Sequence, residues 1–340
     1  MANQRGADMT ITQEFGEKVR RANTKDKIMR VAPIMVLVAM IIVFTILCGF
    51  NVFLAPSNIV AILKQLAIPL CVALGLTFVI MIGSIDLSIN GVVGMAGSLA
   101  GVFVANEVFD YNFGAFGILL AILSAIAAGF LIGVIHVYLR VPSFMVSFAF
   151  MYICQGIGRV SYHSRILKIT DPMIIRLANL SILSVPFISW IALLMFVICL
   201  VIQEYTAFGR HVYAVGTNEA IPRAVGVNVG HVKVMVFMLA GLLSGVAGVL
   251  GAIRLGIGQI QIGNGQMFPA QAAVVIGGTA LSGGKGGVQR TLVGVLIMTI
   301  LNNGLLMCNV SAFITDGVQG LIILLCVILT CEHGKTVISK

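Results

Sequence analysis

Long runs of apolar residues constrain the fold of this chain more than any other feature. A run of about 20 apolar residues is long enough to cross a bilayer as a helix. Clear runs occur at 31–50, 116–138, 183–202, 234–253, 291–308 and 317–331, and less regular ones at 59–82, 89–105, 142–158 and 268–281. They predict an all-α polytopic membrane protein with about ten transmembrane helices, some of them broken or kinked.

The charge content excludes a conventional soluble domain. Charged residues make up 10% of the 340 residues, and hydrophobic residues make up 59%. A soluble domain is roughly 25% charged. The sequence therefore predicts a tail at 1–30 followed by one membrane domain over 31–340, with a long polar loop at 204–233.

The basic residues predict the orientation of the chain. If the first span starts in the cytoplasm, 15 of the 21 Lys and Arg residues fall on the cytoplasmic side, and seven of these precede residue 31. Cytoplasmic flanks of membrane helices carry such an excess. Both termini, and the loop at 204–233, are therefore expected in the cytoplasm.

The segment 84–90 alternates between polar and apolar residues. Ser84, Asp86, Ser88 and Asn90 are separated by single apolar residues, a period of two that indicates extended chain. Extended backbone at membrane depth needs protein or a wet cavity to satisfy it. We expect a break between two helices that lies beside the substrate pathway. Asp86 or Ser88 acting only as a helix N-cap is the alternative.

Other polar residues inside the apolar runs are candidates for the same pathway. Gln155 and Gln271 are assigned to it, although most such residues serve as hydrogen-bond partners between helices. Residues 82–88 and 276–282 resemble each other at an offset of 194, which suggests an internal repeat with interrupted helices. The glycine-rich stretch at 281–287 lacks two residues that a phosphate-binding loop requires, so a tight turn is expected there.

The polar loop at 204–233 carries a candidate docking surface. Asn218 and Glu219 are placed to begin a short helix. A loop of this length in a chain that otherwise follows the membrane is typical of a functional segment, and a solvated linker is the alternative.

Three motifs, in order, resemble the permeases of ribose-type monosaccharide ABC importers. They are IGSIDLSING at 82–91, YAVGTNEAIPRAVGV at 213–227 and VIGGTALSGGKGGV at 275–288. The likeness extends from about residue 55 to about residue 330. The chain departs from the family pattern at Ser84, where glycine is usual, and at Ile221 and Pro222, where two alanines are usual.

The resemblance implies a multi-pass permease of the bacterial inner membrane that is not an enzyme and holds no cofactor. Two permease copies, expected to be identical, would form the pathway. ATP-binding subunits would drive it from the cytoplasm, and an external binding protein would deliver the sugar. By the same resemblance, the contact that couples the permease to the ATPase falls on Gly216, Asn218, Glu219, Ala220, Arg223 and Gly226.

Two other functions remain open at this point. Related permeases of nucleosides or branched-chain amino acids share the expected plan. An ion-coupled secondary transporter would need several carboxylates within the membrane, and Asp86 is the one good candidate.

Overall fold

The computed structural model describes residues 31–109, 112–162, 167–311, 314–315, 317–322 and 324. The tail at 1–30 and the C-terminal segment at 332–340 lie outside these residues. The described chain is mostly helical, and its long helices pack around a shared apolar core. The expected all-α polytopic fold is confirmed.

Thirteen helices with continuous bounds can be named. They are α1 (Val31–Cys48), α2 (Phe50–Phe53), α3 (Pro56–Met81), α4 (Ile89–Phe103), α5 (Gly114–Tyr138), α6 (Ser143–Ser161), α7 (Pro172–Asn179), α8 (Phe187–Tyr205), α9 (Ala207–Thr217), α10 (Ala220–Ala224), α11 (Val229–Leu255), α12 (Met267–Ile276) and α13 (Val288–Met307).

The strands are short and lie between the helices. Antiparallel pairing joins β1 (Leu167–Lys168) to β4 (Ile257–Gly258), and β2 (Ser181–Ile182) to β3 (Val185–Pro186). A turn of 3₁₀ helix follows at Ile260–Gly263.

Seven helices in the described part of the chain are long and apolar enough to cross a membrane: α1, α3, α5, α6, α8, α11 and α13. Two predicted spans are shorter than expected. The helix α4 has 15 residues and α12 has 10. Chain without α-helix precedes each of them, at 84–88 before α4 and at 256–266 before α12.

Small residues allow the central helix α11 to approach its neighbours closely. A Cβ on Gly241 would overlap the carbonyl oxygen of Ala125 on α5, and one on Gly248 would overlap that of Val93 on α4. Membrane helices often pack through such small residues. As a result most of α11 is buried.

The bundle has two distinct ends. The C-terminus of α3 meets α9 and the turn at 277–287, where the Gly284 amide donates to the Met81 carbonyl oxygen over 2.9 Å. We call this the α9 end. The opposite end carries α7 and the β1–β4 pair and is called the α7 end.

Candidate substrate pathway and coupling region

The break between α3 and α4 is non-helical over 84–88, as its alternating pattern predicts, but Ile89 and Asn90 already belong to α4, so the end of the pattern was wrongly predicted as extended chain. Two hydroxyls of α6 accept hydrogen bonds from it: Ser143 Oγ from the Ile85 amide over 3.1 Å, and Ser147 Oγ from the Leu87 amide over 3.0 Å. Residues four apart in a helix rise about 6 Å, and residues two apart in a strand span about 6.6 Å. Hydroxyls spaced by four on α6 therefore match amides spaced by two in the break.

Asp86 is buried and closes a turn with Ser88, the residue before α4. Its side chain is 4% exposed, and Oδ1 accepts from the Ser88 amide over 2.8 Å and from the Ser88 hydroxyl over 2.6 Å. No side chain caps the first turn of α4, so the N-cap alternative is wrong for both residues. Ser84 is also buried, and its amide donates to the Val79 carbonyl oxygen.

Asn90 and Gln271 connect the break to α12. Asn90 Oδ1 accepts from the amide of Met267, the first residue of α12, over 3.0 Å. Gln271 Nε2 donates to the Asp86 carbonyl oxygen over 3.4 Å. The start of α4 and α12 therefore form one hydrogen-bonded unit. Gln155 lies half-buried on α6 and makes no hydrogen bond within the described residues.

The helices α3 and α12 end in the same way. Their ends fall at 82–88 and 276–282, the two stretches that resemble each other in sequence. At the end of α3, Gly83 has φ +72° and its amide donates to the Ile80 carbonyl. At the end of α12, Gly278 has φ +95° and its amide donates to the Val275 carbonyl. The next amide, at Ser84 and at Thr279, closes a Schellman motif in each case. Gly83 and Gly278 lie 195 residues apart, one more than the predicted offset, and both helices end at the α9 end. The helices α3 and α12 therefore run in the same direction.

The turn at 277–287 is held against the end of α3 rather than shaped for phosphate. Gly283, Gly284, Gly286 and Gly287 all have positive φ, which suits a tight glycine turn. The predicted turn is confirmed.

The helix α9 packs directly on this turn. The Tyr213 hydroxyl donates to the Gly286 carbonyl oxygen over 2.9 Å. Burial, followed by the nearby Glu204 charge, raises the pKa of Tyr213 above its ordinary value, so its hydroxyl stays a donor. Gln203 at the end of α8 accepts from the Val288 amide over 2.7 Å and so caps α13.

The short helix predicted near residue 218 is present as α10. Asn218 Oδ1 accepts from the Ala220 amide over 2.9 Å, as expected for a helix start. Glu219 forms ion pairs with Lys233 and, over 2.7 Å, with Arg223. Gly226 follows α10 with φ +82°, a conformation that favours glycine.

A polar cleft of about 390 Å³ lies between α3, α12 and α13. Pro69, inside α3, supplies no amide for the carbonyl of Gln65, which also lines the cleft. Sequence reasoning assigned none of the cleft residues to the pathway, although a glutamine one turn before a proline in an apolar run is a usable signal. Its polar side chains are Gln65, Arg254, Gln266, Thr299, Asn302, Thr315 and Gln319.

Arg254 is the one charged residue that lines the polar cleft, and no ion pair of its guanidinium occurs within the described chain. Gln271 does not line the cleft, because it is directed toward the Asp86 backbone. The break at 84–90 and the polar cleft are thus separate features that share α12.

Comparison with known proteins decides the family. Residues 58–327 match the family described as "Branched-chain amino acid transport system / permease component". The chain belongs to this permease family. No solved structure matches significantly.

Several relatives are named as sugar permeases. The chain is 33% identical to the Ribose import permease protein RbsC of Haemophilus influenzae, over 86% of this chain and 90% of that one. It is also 33% identical to the protein of the same name from Bacillus subtilis, over 94% of this chain and 98% of that one. The L-arabinose ABC transporter permease protein AraH of Azospirillum brasilense is 29% identical to this chain, over 81% of this chain and 80% of that one.

The family assignment agrees with the structure and with the sequence resemblance. The chain is the multi-pass membrane permease of an ABC importer and not an enzyme. An importer of this class works with an ATP-binding subunit and a substrate-binding protein, so ATP binding belongs to another polypeptide.

Proposed function

We propose that this permease translocates a monosaccharide that an external binding protein delivers. The observation that carries the proposal is the identity of about one third, over most of both chains, to permeases named for ribose import. Relatives named for L-arabinose and xylose support the same class of solute.

The polar cleft is the proposed route for the sugar. Amide and hydroxyl groups at membrane depth are costly against lipid and are retained where they face protein or water. Gln65, Gln266 and Asn302 offer donors and acceptors to sugar hydroxyls, and Arg254 adds a further donor. The earlier assignments of Ser84, Asp86, Ser88, Asn90, Gln155 and Gln271 to the pathway stay predictions; five of these residues contribute to the hydrogen-bonded framework beside the cleft.

The coupling region is the proposed receiver of the ATPase motion. It extends from Gly216 to Gly226 and so comprises the end of α9, the helix α10 and the residues that join and follow them. Since α9 contacts both the end of α3 and the turn before α13, a displacement of α9 reaches two walls of the polar cleft. Closely packed contacts of this kind can transmit a rigid-body motion from one element to the next.

The α9 end is proposed to face the cytoplasm, with both termini on that side. The supporting observation is the excess of Lys and Arg assigned to this side. A second copy of the same chain is proposed to complete the importer.

Reconstitution of the permease with its ATP-binding subunit and binding protein tests the function. Proteoliposomes loaded with ATP are expected to accumulate radiolabelled ribose that is added outside together with the binding protein. Uptake should persist when a proton ionophore collapses the gradient and should stop without ATP. The opposite pattern would indicate a secondary transporter.

A branched-chain amino acid is the second candidate solute, because the family description names that class. Competition in the same assay separates the candidates. Leucine in excess is expected to leave ribose uptake unchanged, and uptake of labelled leucine instead of ribose would favour the second candidate.

A further inference from the structure

A second large pocket lies at the α9 end, away from the polar cleft. Its volume is about 800 Å³, and it is enclosed by the turn between α5 and α6, by α10 and by the start of α11. We call it the basic pocket. Its polar lining residues are His136, Arg140, Arg223, Asn228 and Lys233.

The charges around the basic pocket favour an anion. Arg140, Arg223 and Lys233 line it, and no acidic residue does. Glu219 pairs with Arg223 and Lys233 from beside the pocket, so one carboxylate is shared by two of the three lining cations. Arg140 forms no ion pair among the described residues. The arrangement therefore leaves an excess of positive charge for a ligand.

His136 forms part of the pocket wall, and its ring packs edge-on against Phe237. Its Nδ1 lies 2.8 Å from the Val141 carbonyl oxygen, and since a carbonyl only accepts, Nδ1 must carry the hydrogen. Its Nε2 is shielded from solvent and has no hydrogen-bond partner in the described structure, so the histidine shapes the wall and is not counted among the phosphate contacts.

The first turn of α11 adds backbone donors. Asn228 caps the His231 amide, while Val229 and Gly230 at the pocket wall occupy the first turn, where amides lack intrahelical acceptors. A helix N-terminus attracts phosphate oxygens through these amides and the helix dipole. The partial positive charge at the N-terminus of α11 therefore adds to the charge of the cationic side chains.

The surroundings of Arg140 resemble a membrane surface. Tyr138 and Leu139, immediately before it, are each 68% exposed. A tyrosine and an apolar residue next to basic groups are typical of the level of lipid headgroups. Basic pockets between helices at the cytoplasmic leaflet suit anionic headgroups.

From the cationic residues that line the pocket and the helix start at its wall, we propose that the basic pocket binds a phosphate group. The group would be carried by an anionic phospholipid of the adjacent leaflet or by a dissolved phosphate ester. Bound phosphate would bridge the α5–α6 turn to α10 and so hold the coupling region in place. This inference does not depend on which solute the permease carries.

The test measures lipid retention by the full-length permease. The protein is placed in nanodiscs of phosphatidylcholine with a fixed fraction of phosphatidylglycerol, and bound lipid is counted by native mass spectrometry after release. Wild type is expected to retain phosphatidylglycerol selectively. Arg140→Asn should lower this retention about tenfold, as expected for one charge-assisted contact, and Arg140→Lys should retain most of it. Asparagine tolerates the positive φ of 55° at this position.

Arg210→Gln is the matched control, because it removes an exposed cation of α9 that does not line the basic pocket. It should retain lipid as wild type does. Displacement of the lipid by glycerol 3-phosphate, or binding of that ester without any lipid preference, would support a phosphate site with a dissolved source. Equal retention by wild type and Arg140→Asn, together with no binding of glycerol 3-phosphate, would overturn the proposal. Neither measurement involves sugar transport, so a failure of the phosphate-site proposal can be distinguished from a failure of the proposed function.

Discussion

The backbone of Gly216 lies against the carbonyl oxygen of Met81, so closely that a Cβ at position 216 would overlap that oxygen. The same Cβ would lie 2.6 Å from the Gly284 amide nitrogen. Gly216 ends α9, Met81 ends α3, and Gly284 belongs to the turn before α13. One glycine therefore brings the proposed coupling region into contact with two elements of the proposed pathway.

Substitution of Gly216 by alanine is expected to separate these elements. The added methyl meets backbone on both sides, which cannot move aside as a flexible side chain can. Overpacking of this kind costs about 1–3 kcal/mol. We expect Gly216→Ala to insert in the membrane but to lose most of the ATP turnover that the loaded binding protein stimulates, measured in proteoliposomes.

The control for this variant is Gly156→Ala on α6, where a Cβ meets nothing within 4 Å. It adds the same methyl to a helical glycine and should leave stimulated turnover unchanged. Normal turnover in Gly216→Ala would show that the close contact is not part of the coupling.

Asp86 is expected to act through its acceptor oxygen rather than its charge. Asp86→Asn keeps an oxygen for the Ser88 amide and hydroxyl, so we expect near-normal accumulation and uptake. Asp86→Ala loses both bonds, and a buried donor left without its acceptor costs about 1–3 kcal/mol. Its accumulation in membranes should fall. An Asp86→Asn protein that accumulates normally but transports nothing would instead assign a role to the charge.

The alternating pattern at 84–90 was sufficient to predict the non-helical break at 84–88, because the period of side chains depends only on local sequence. The partners of this break were not predictable. Ser143, Ser147 and Met267 are distant in sequence, and their own local patterns say nothing about which backbone groups they meet. Hydrogen bonds across such separations are set by tertiary packing.

The α9 end and the polar cleft show the same difference between local structure, which was predictable, and tertiary partners, which were not. Asn218 was identified as the start of a short helix from its residue type, but the pairing of Glu219 with Lys233 required the path of α11. Gln65 and Arg254 belong to runs about 190 residues apart, so their shared cleft is visible only in the folded chain.

The orientation of the bundle predicts opposite labelling of its two ends. Val225 follows α10 and is 75% exposed, whereas Leu183 at the α7 end is 83% exposed. In a cysteine-free background, Val225→Cys should react with an impermeant maleimide only after the cells are permeabilised. Leu183→Cys should react in intact cells. Labelling of Val225→Cys in intact cells would reverse the proposed orientation.

Glu219 is expected to matter more than Arg223 for coupling. The Glu219–Arg223 pair is exposed and spaced by four residues, a type worth about 0.3–0.5 kcal/mol. Lys233 is only 16% exposed, so loss of Glu219 leaves a mostly buried ammonium without its carboxylate.

Glu219→Gln should therefore reduce co-purification of the ATP-binding subunit more than Arg223→Gln does. Both variants should insert normally, since residues 219 and 223 lie outside the membrane-crossing helices. If Arg223→Gln alone releases the ATP-binding subunit, the guanidinium contacts that subunit directly and the internal pair is secondary.

The polar cleft predicts where removal of an amide will impair transport. Asn302 lies on α13 with its side chain exposed in the cleft, and Gln65 faces it from α3. We expect Asn302→Leu and Gln65→Leu each to lower the rate of ribose uptake by roughly two- to tenfold, the cost of one lost uncharged hydrogen bond. Gln155→Leu makes the same type of change on α6, outside the cleft, and should have the smaller effect. All three variants should couple to the ATP-binding subunit as wild type does, because none touches α9 or α10. A larger loss in Gln155→Leu than in either cleft variant would move the sugar pathway away from the cleft and toward α6.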